Sequence, residues 1–348
     1  MAIFLYGRQW TCRELLARVG DLSQIAGAER FTYSEGAADG VRAVRVRTGG
    51  GLDFTVLLSR GMDIGAASYN GVPFAWQSAT GAVHPHALDQ SDPQGRGWLR
   101  SFHGGLLTGC GLSNAGAANV DGGEPLGIHG YLSHIPASET YAGVEWSGDD
   151  AAVVVRGVVR EARVFGENLR LHRTITAPVG GSHLTVTDTV TNDGFAAVPL
   201  MLLYHLNFGF PLIGENTELV TNATMPPEPR DADAAAGRAT ATRLHAPTPG
   251  YREQCFFHHP EPGADGYAVV QLVNPDLPLS ATVRYDARAL PHLTQWKMMG
   301  QGEYVCGIEP ANCRVFGRSA ERDAGRLQTI APGETRIFAV EIGVSDRA

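Results

Sequence analysis

Lysine is almost missing from this 348-residue chain: Lys297 is the only one. With 28 Lys and Arg against 36 Asp and Glu, the formal net charge is −8, and no basic cluster is long enough to follow a phosphate backbone. That excludes general nucleic-acid binding. Cysteine is sparse too. Cys12, Cys110, Cys255, Cys306 and Cys313 are odd in number and lack a CxxC pair, so they form neither a secreted disulfide framework nor a structural zinc site. No stretch approaches the ~18 apolar residues that span a bilayer. The start, Met-Ala-Ile-Phe-Leu-Tyr-Gly-Arg, has no extended apolar run before a small-residue cleavage site, so no signal peptide is read there. Charged residues make up only 18% and hydrophobic ones 43%, which fits a soluble enzyme rather than a disordered or fibrous chain. The expectation is a cytoplasmic globular protein with no cofactor and no membrane partner; a homodimer is compatible with it.

What is abundant is Gly (43) and Pro (20), the punctuation of many short strands joined by tight turns. Period-two alternation runs through Val41–Thr48, Leu52–Ser59, Ala152–Val159, Leu169–Thr176, His183–Thr191, Tyr267–Val273, Ala281–Tyr285 and Thr335–Ile342. Apolar-in, polar-out runs of this kind predict antiparallel sheet. Helical pattern is confined to Thr11–Val19, where Thr11 is a plausible N-cap. The predicted fold is all-β: one large antiparallel β-sandwich over 1–348, with a short helical extension at about 1–30. The polar stretch Pro226–Pro249 reads as a long surface loop rather than a linker, because similar strands flank it.

The segment Tyr304-Val-Cys-Gly-Ile-Glu-Pro-Ala-Asn312 carries strand-forming residues up to Glu309. Proline restricts the residue before it and cannot donate to a ladder, so the strand is expected to stop there with Glu309 at its mouth. A matching imidazole sits in Leu202-Leu-Tyr-His-Leu-Asn-Phe-Gly-Phe. Burying His205 is costly unless it is partnered, and Tyr204 and Asn207 bring further polar groups to the same apolar run, which points to a ligand pocket. His129 stands in Gly-Ile-His-Gly and His103 just before Gly104-Gly105, where a ligand or backbone can approach closely. For both, a structural loop role competes with ligand contact. His134 reads as structural, and His258-His259, beside Pro260, as solvent-exposed.

Arg60 and Asp63 form a structural pair or, for Arg60, a ligand contact. Arg100, near His103, is placed to grip a sugar hydroxyl, and Trp296-Lys297 combines an aromatic face with a cation just ahead of Glu309. A metal site is not expected: the one HxH pair, His84-Pro-His86, lies in an irregular stretch and no HExxH occurs.

Three of these segments, taken in order, resemble aldose 1-epimerases (galactose mutarotases). Gly-Ile-His129-Gly resembles their Leu-His-Gly motif, Tyr-His205-Leu-Asn-Phe their Asn-His-x-Tyr-Phe-Asn-Leu strand, and Gly-Ile-Glu309-Pro their Leu-Glu-Pro-Gln segment. Phe102–Asn114 and Gln295–Gly302 are atypical of the classical enzymes and resemble a divergent bacterial branch of poorly defined substrate. The resemblance implies a β-supersandwich with a sugar cleft, Glu309 as base, His205 as acid and His129 as a hydrogen-bonding partner, with a monosaccharide or sugar derivative as the partner molecule. Tyr204 replaces the family's Asn, Arg100 is the nearest counterpart of its arginine, and no aspartate is assigned to its sugar-holding acid. The implied activity is anomer interconversion. Epimerisation or isomerisation at carbon in the same site, or sugar binding without catalysis, are the alternatives.

Overall fold

The computed structural model describes residues 3–89, 92 and 95–345. Two large sheets dominate it, and their main strands are numbered here in chain order. The larger sheet has eleven strands. Its spatial order is β12 (Glu228–Pro229), β13 (Gln254–His258), β16 (His292–Met299), β17 (Tyr304–Ala311), β10 (Met201–Gly209), β5 (Leu107–Leu112), β4 (Asp63–Tyr69), β3 (Leu52–Leu57), β2 (Arg42–Arg47) and β1 (Gly27–Thr32). The two-residue strand Val72–Pro73 pairs with β4. The smaller, eight-stranded sheet runs β6 (Ser138–Ser147), β7 (Asp150–Ala162), β8 (Asn168–Pro178), β9 (His183–Asn192), β18 (Thr335–Ser345), β15 (Leu279–Asp286), β14 (Tyr267–Asn274) and β11 (Glu218–Thr221). Neighbours pair antiparallel, as the alternation predicted.

Alternation also decides which side chains fill the space between the sheets. Leu169, Leu171, Ile175 and Ala177 of β8, and Leu184, Val186 and Val190 of β9, enter one core with Leu202, Leu206 and Phe208 of β10. Every residue of β10 is buried, because both of its faces are covered. Its even-numbered residues face the inter-sheet core. Met201 and Leu203, of the other parity, join a second cluster with Trp98, Phe102, Cys110 and Ala311 on the opposite face of the larger sheet. That second face carries the site.

A buried charge pair interrupts the inter-sheet core. Arg173 of β8 lies directly opposite Asp188 of β9, and both are fully buried. Arg173 donates through Nε and Nη2 to the two carboxylate oxygens (2.8 and 2.6 Å), and the Tyr204 hydroxyl reaches across from the larger sheet to Asp188 Oδ2 at 2.7 Å. Tyr204 is therefore turned to the core, while its neighbour His205 points the other way.

Several expectations change. The N-terminal helix α1 is only Cys12–Leu16, closed by the predicted Thr11 cap in a capping box with Glu14. Residues 226–249 do not form a free surface loop. They contain β12, helix α2 (Ala232–Gly237) and a 3-10 turn (Arg238–Thr240), and Ala234 and Ala241 pack on Phe256. His258 is not exposed: it ends β13, is buried, and its Nε2 lies 2.8 Å from Gln295 Oε1. His259 is exposed. Nor does Pro310 end its strand, since β17 continues to Ala311. The ladder between β10 and β17 registers Leu206 with Ile308 and Leu203 with Ala311, skipping the two positions between. Proline, which lacks an N–H, is tolerated in this central strand because it sits in that gap.

Candidate active site

The gap in the ladder is where the chemistry collects. Its register sets His205 against Glu309 on adjacent strands, both on the face turned from the core. Their side chains are almost fully buried, and His205 Nε2 lies 3.3 Å from Glu309 Oε1. Gly307, two residues before Glu309, has to be small: a Cβ there would come 3.1 Å from Glu309 Oε1 and 3.0 Å from the Trp296 side chain. Around the pair lies a cavity of about 560 Å³, within the usual size of a small-molecule pocket. Its walls are mostly aromatic. Phe102 and Trp296 pack against the His205 ring at 5.2 and 5.3 Å, Trp76 meets Trp296 edge-on at 6.0 Å, and Trp98 stacks on Phe102 at 4.4 Å.

His129 reaches the cavity from a loop, with its ring 5.5 Å from that of His205 and 4.7 Å from Trp98. Its backbone has φ 59°, a left-handed conformation uncommon for a side-chain-bearing residue. Two contacts with one residue hold it there: its N–H donates to the Gly116 carbonyl, and Gly116 N–H donates to Nδ1 at 3.3 Å. A ring nitrogen that accepts a hydrogen bond carries no proton. In the neutral ring Nε2 therefore bears the hydrogen and is a donor.

The low-dielectric walls push every titratable group of the pair toward its neutral form. Burial, reinforced by Glu253 and opposed by Arg230, raises Glu309 to about 8. Burial lowers His205 to about 4, against the opposing influence of Asn207, and lowers His129 to about 3, with His205 adding to the effect. A close His–Glu contact would otherwise read as an ion pair, but desolvation outweighs it here. Between those limits the pair holds one proton.

Of the residues singled out in the sequence, Glu309, His205, His129 and Trp296 line the cavity together. The others lie elsewhere. Asn207 donates through Nδ2 to the carbonyls of Gly104, Gly105 and His205, bracing the backbone around the imidazole. His103 is buried beside Arg60 with neither ring nitrogen bonded to protein, and burial holds it well below the ordinary imidazole value. Arg100 is exposed and off the cavity wall. Arg60 is fully buried: its guanidinium donates to the carbonyls of Val83, Ser101 and Ser133, and the Ser133 hydroxyl bridges it to Asp63. Lys297 points to the opposite face from Trp296, where Nζ donates to the Thr240 and Arg243 carbonyls at 2.7 and 2.6 Å. Its charge is spent on pinning the segment after α2.

Sequence reasoning missed Trp76, Trp98, Phe102, Arg230 and Glu253. Trp98 and Phe102 were visible as large apolar residues four apart beside glycines. Arg230 and Glu253 carry no signal in the sequence: Arg230 lies inside the polar stretch 226–249 and Glu253 just beyond it. Arg230 Nη2 donates to Glu253 Oε1 at 2.9 Å, and Trp296 Nε1 donates to Glu253 Oε2 at 2.8 Å, so Glu253 fixes the indole edge at the cavity mouth. Among the described residues no three His, Cys, Asp or Glu side chains gather in a metal-binding arrangement.

Comparison with known structures identifies the fold. A candidate aldose 1-epimerase from Klebsiella pneumoniae superposes with a TM-score of 0.89 at 24% identity, over 97% of this chain and 87% of that one. A galactose 1-epimerase from Lactobacillus acidophilus (TM-score 0.60, 13% identity, 92% and 99% covered) and a galactose mutarotase-like protein from Clostridium acetobutylicum (0.60, 14%, 93% and 99%) share the architecture. The fold is that of galactose mutarotase-like proteins. The chain belongs to DUF4432, a domain family of unknown function that matches residues 38–344. A comparison with curated proteins returns no match. No helix among the described residues is long and apolar enough to cross a membrane.

Proposed function

We infer that the protein interconverts the anomers of a reducing sugar by acid/base ring opening. The observation that carries this reading is the buried His205–Glu309 pair, 3.3 Å apart in an aromatic cavity and holding one proton near neutral pH. Anomerisation needs that inventory. One group takes the proton of the anomeric hydroxyl while the other protonates the ring oxygen, the C1–O5 bond breaks, and the open aldehyde rotates about C1–C2. Reclosure on the other face returns the proton. The pair ends with the single proton it began with, so it serves both directions. Glu309 as base with His205 as acid is the assignment that the resemblance implies. It uses the tautomer in which the proton has moved from Glu309 to His205, an internal shift that needs no exchange with solvent. His129 donates Nε2–H toward the ring side. The five free thiols fit a reducing cytosol.

Exchange NMR in deuterated water on a panel of reducing sugars tests this. Anomer exchange with no deuterium entering a carbon position is expected. Deuterium at carbon selects epimerisation there, and binding without exchange selects a sugar-binding role; either result refutes anomerisation.

The same pair fixes the pH profile. Below about 4 both groups are protonated and no base remains; above about 8 both are deprotonated and no acid remains. The rate is expected to follow a bell with limbs at those values, read by exchange NMR across pH. A profile flat through pH 9 contradicts the shared proton.

A further inference from the structure

The geometry points to a sugar that is uncharged and short of one or more hydroxyls, a deoxy sugar whose methyl or methylene group rests on the apolar wall. This rests on the anomerisation reading above and deepens it. The cavity is wide enough for a hexose, but part of its wall, at Leu99, Ile128, Met298 and Val315, offers a sugar only apolar side chains. The Ser78 and Thr80 hydroxyls both donate to the Phe102 carbonyl. Each Arg230 nitrogen makes one bond, Nε to Asp231, Nη2 to Glu253 and Nη1 to the Cys255 sulfur, which leaves one N–H on each Nη. Glu253 spends its second oxygen on Trp296. Beyond those N–H groups, the side chains left for a sugar are those of Glu309, His205, His129 and Glu303, together with the unpartnered Trp98 Nε1. The side chains of Leu99, Ile128, Met298 and Val315 present hydrocarbon and a thioether, with no donor or strong acceptor for a hydroxyl. A hexose hydroxyl placed there would lose its water without replacement, whereas a methyl would not.

Charge argues the same way. Arg230 is the cavity's only cation among the described residues, and two carboxylates already offset it. Lys297 faces elsewhere. A phosphate or uronate would enter beside the Glu253 and Glu303 carboxylates, with the one guanidinium already paired.

Anomer-exchange rates on matched pairs test this: D-fucose against D-galactose, L-rhamnose against L-mannose, and 6-deoxyglucose against glucose, with galacturonate and galactose 6-phosphate as anionic members. In any pair that exchanges, kcat/KM is expected to favour the deoxy member by about 10- to 100-fold, the discrimination an apolar pocket achieves against an added hydroxyl. The anions are expected to be slowest. Met298→Gln, which puts an amide into the wall, is expected to shrink the deoxy preference; an unchanged ratio counts against the wall as its source. Exchange that is equal for the parent sugars, or faster for an anion, overturns this inference and leaves anomerisation standing. No exchange with any member, over either anomer, removes both.

Discussion

Replacing Glu309 by glutamine is expected to lower the proposed anomer exchange by about 10²–10⁴-fold, the usual worth of one positioned acid or base. The amide keeps the size of the carboxyl and its place opposite His205 but cannot give or take a proton at the pH of the reaction. Sugar binding is expected to survive, because the aromatic walls and His129 are untouched. Exchange NMR measures the rate and ligand-linked thermal shift the binding; a variant that exchanges as fast as wild type sinks the assignment. Stability supplies a control for folding. Glu309 is raised from 4.5 to about 8 in the folded protein, so its contribution is fully present below pH 4.5 and is lost as the pH rises through about 8. Wild type is therefore expected to lose melting temperature between pH 7 and 9, and E309Q to lose less.

Asp188→Asn removes about 3–5 kcal/mol of stability, the cost of stranding a buried charge. Arg173 is fully buried, and burial alone would discharge it; the Asp188 carboxylate at 2.6 Å reverses that and holds its pKa above the usual value. Asparagine preserves the shape but leaves the guanidinium only the more distant Asp63 carboxylate, 4.0 Å away, and it weakens the acceptor of the Tyr204 hydroxyl. Denaturant unfolding measures the loss. The triple variant R173M/D188L/Y204F removes the ion pair and its hydroxyl together and is expected to be milder than D188N, because no guanidinium is left without its main partner. A D188N variant as stable as wild type would mean that water reaches the pair. Since Tyr204 precedes His205 on β10, this network also anchors the strand that presents the imidazole.

Much of the fold was legible because antiparallel strands with one solvated face write a period of two into the sequence. β8 and β9 follow it closely, and Arg173 and Asp188 stand out as charges in the apolar phase of those strands. The short ordered elements between 226 and 249 were not legible. They are held by Phe256 and by Lys297, contacts with no local signal. His258 misled for the same reason: a polar neighbourhood in sequence became a buried strand end in space. Pro310 shows the reverse failure, a local rule overridden by a gap in the ladder.

By itself, the sequence determined the all-β architecture and singled out Glu309, His205 and His129, which the fold brings to one cavity, because alternation and short motifs are properties of neighbouring residues. Which of the remaining polar residues face the cavity was decided only by tertiary structure. The single lysine makes the point. Beside Trp296 in the chain, Lys297 looked like part of a sugar cleft, but adjacent strand residues point to opposite faces. Trp296 enters the cavity and Lys297 staples the back of the sheet to the segment beyond α2. The cation that does reach the cavity, Arg230, comes from far along the chain, since only folding brings β12 and β13 beside β16 and β17.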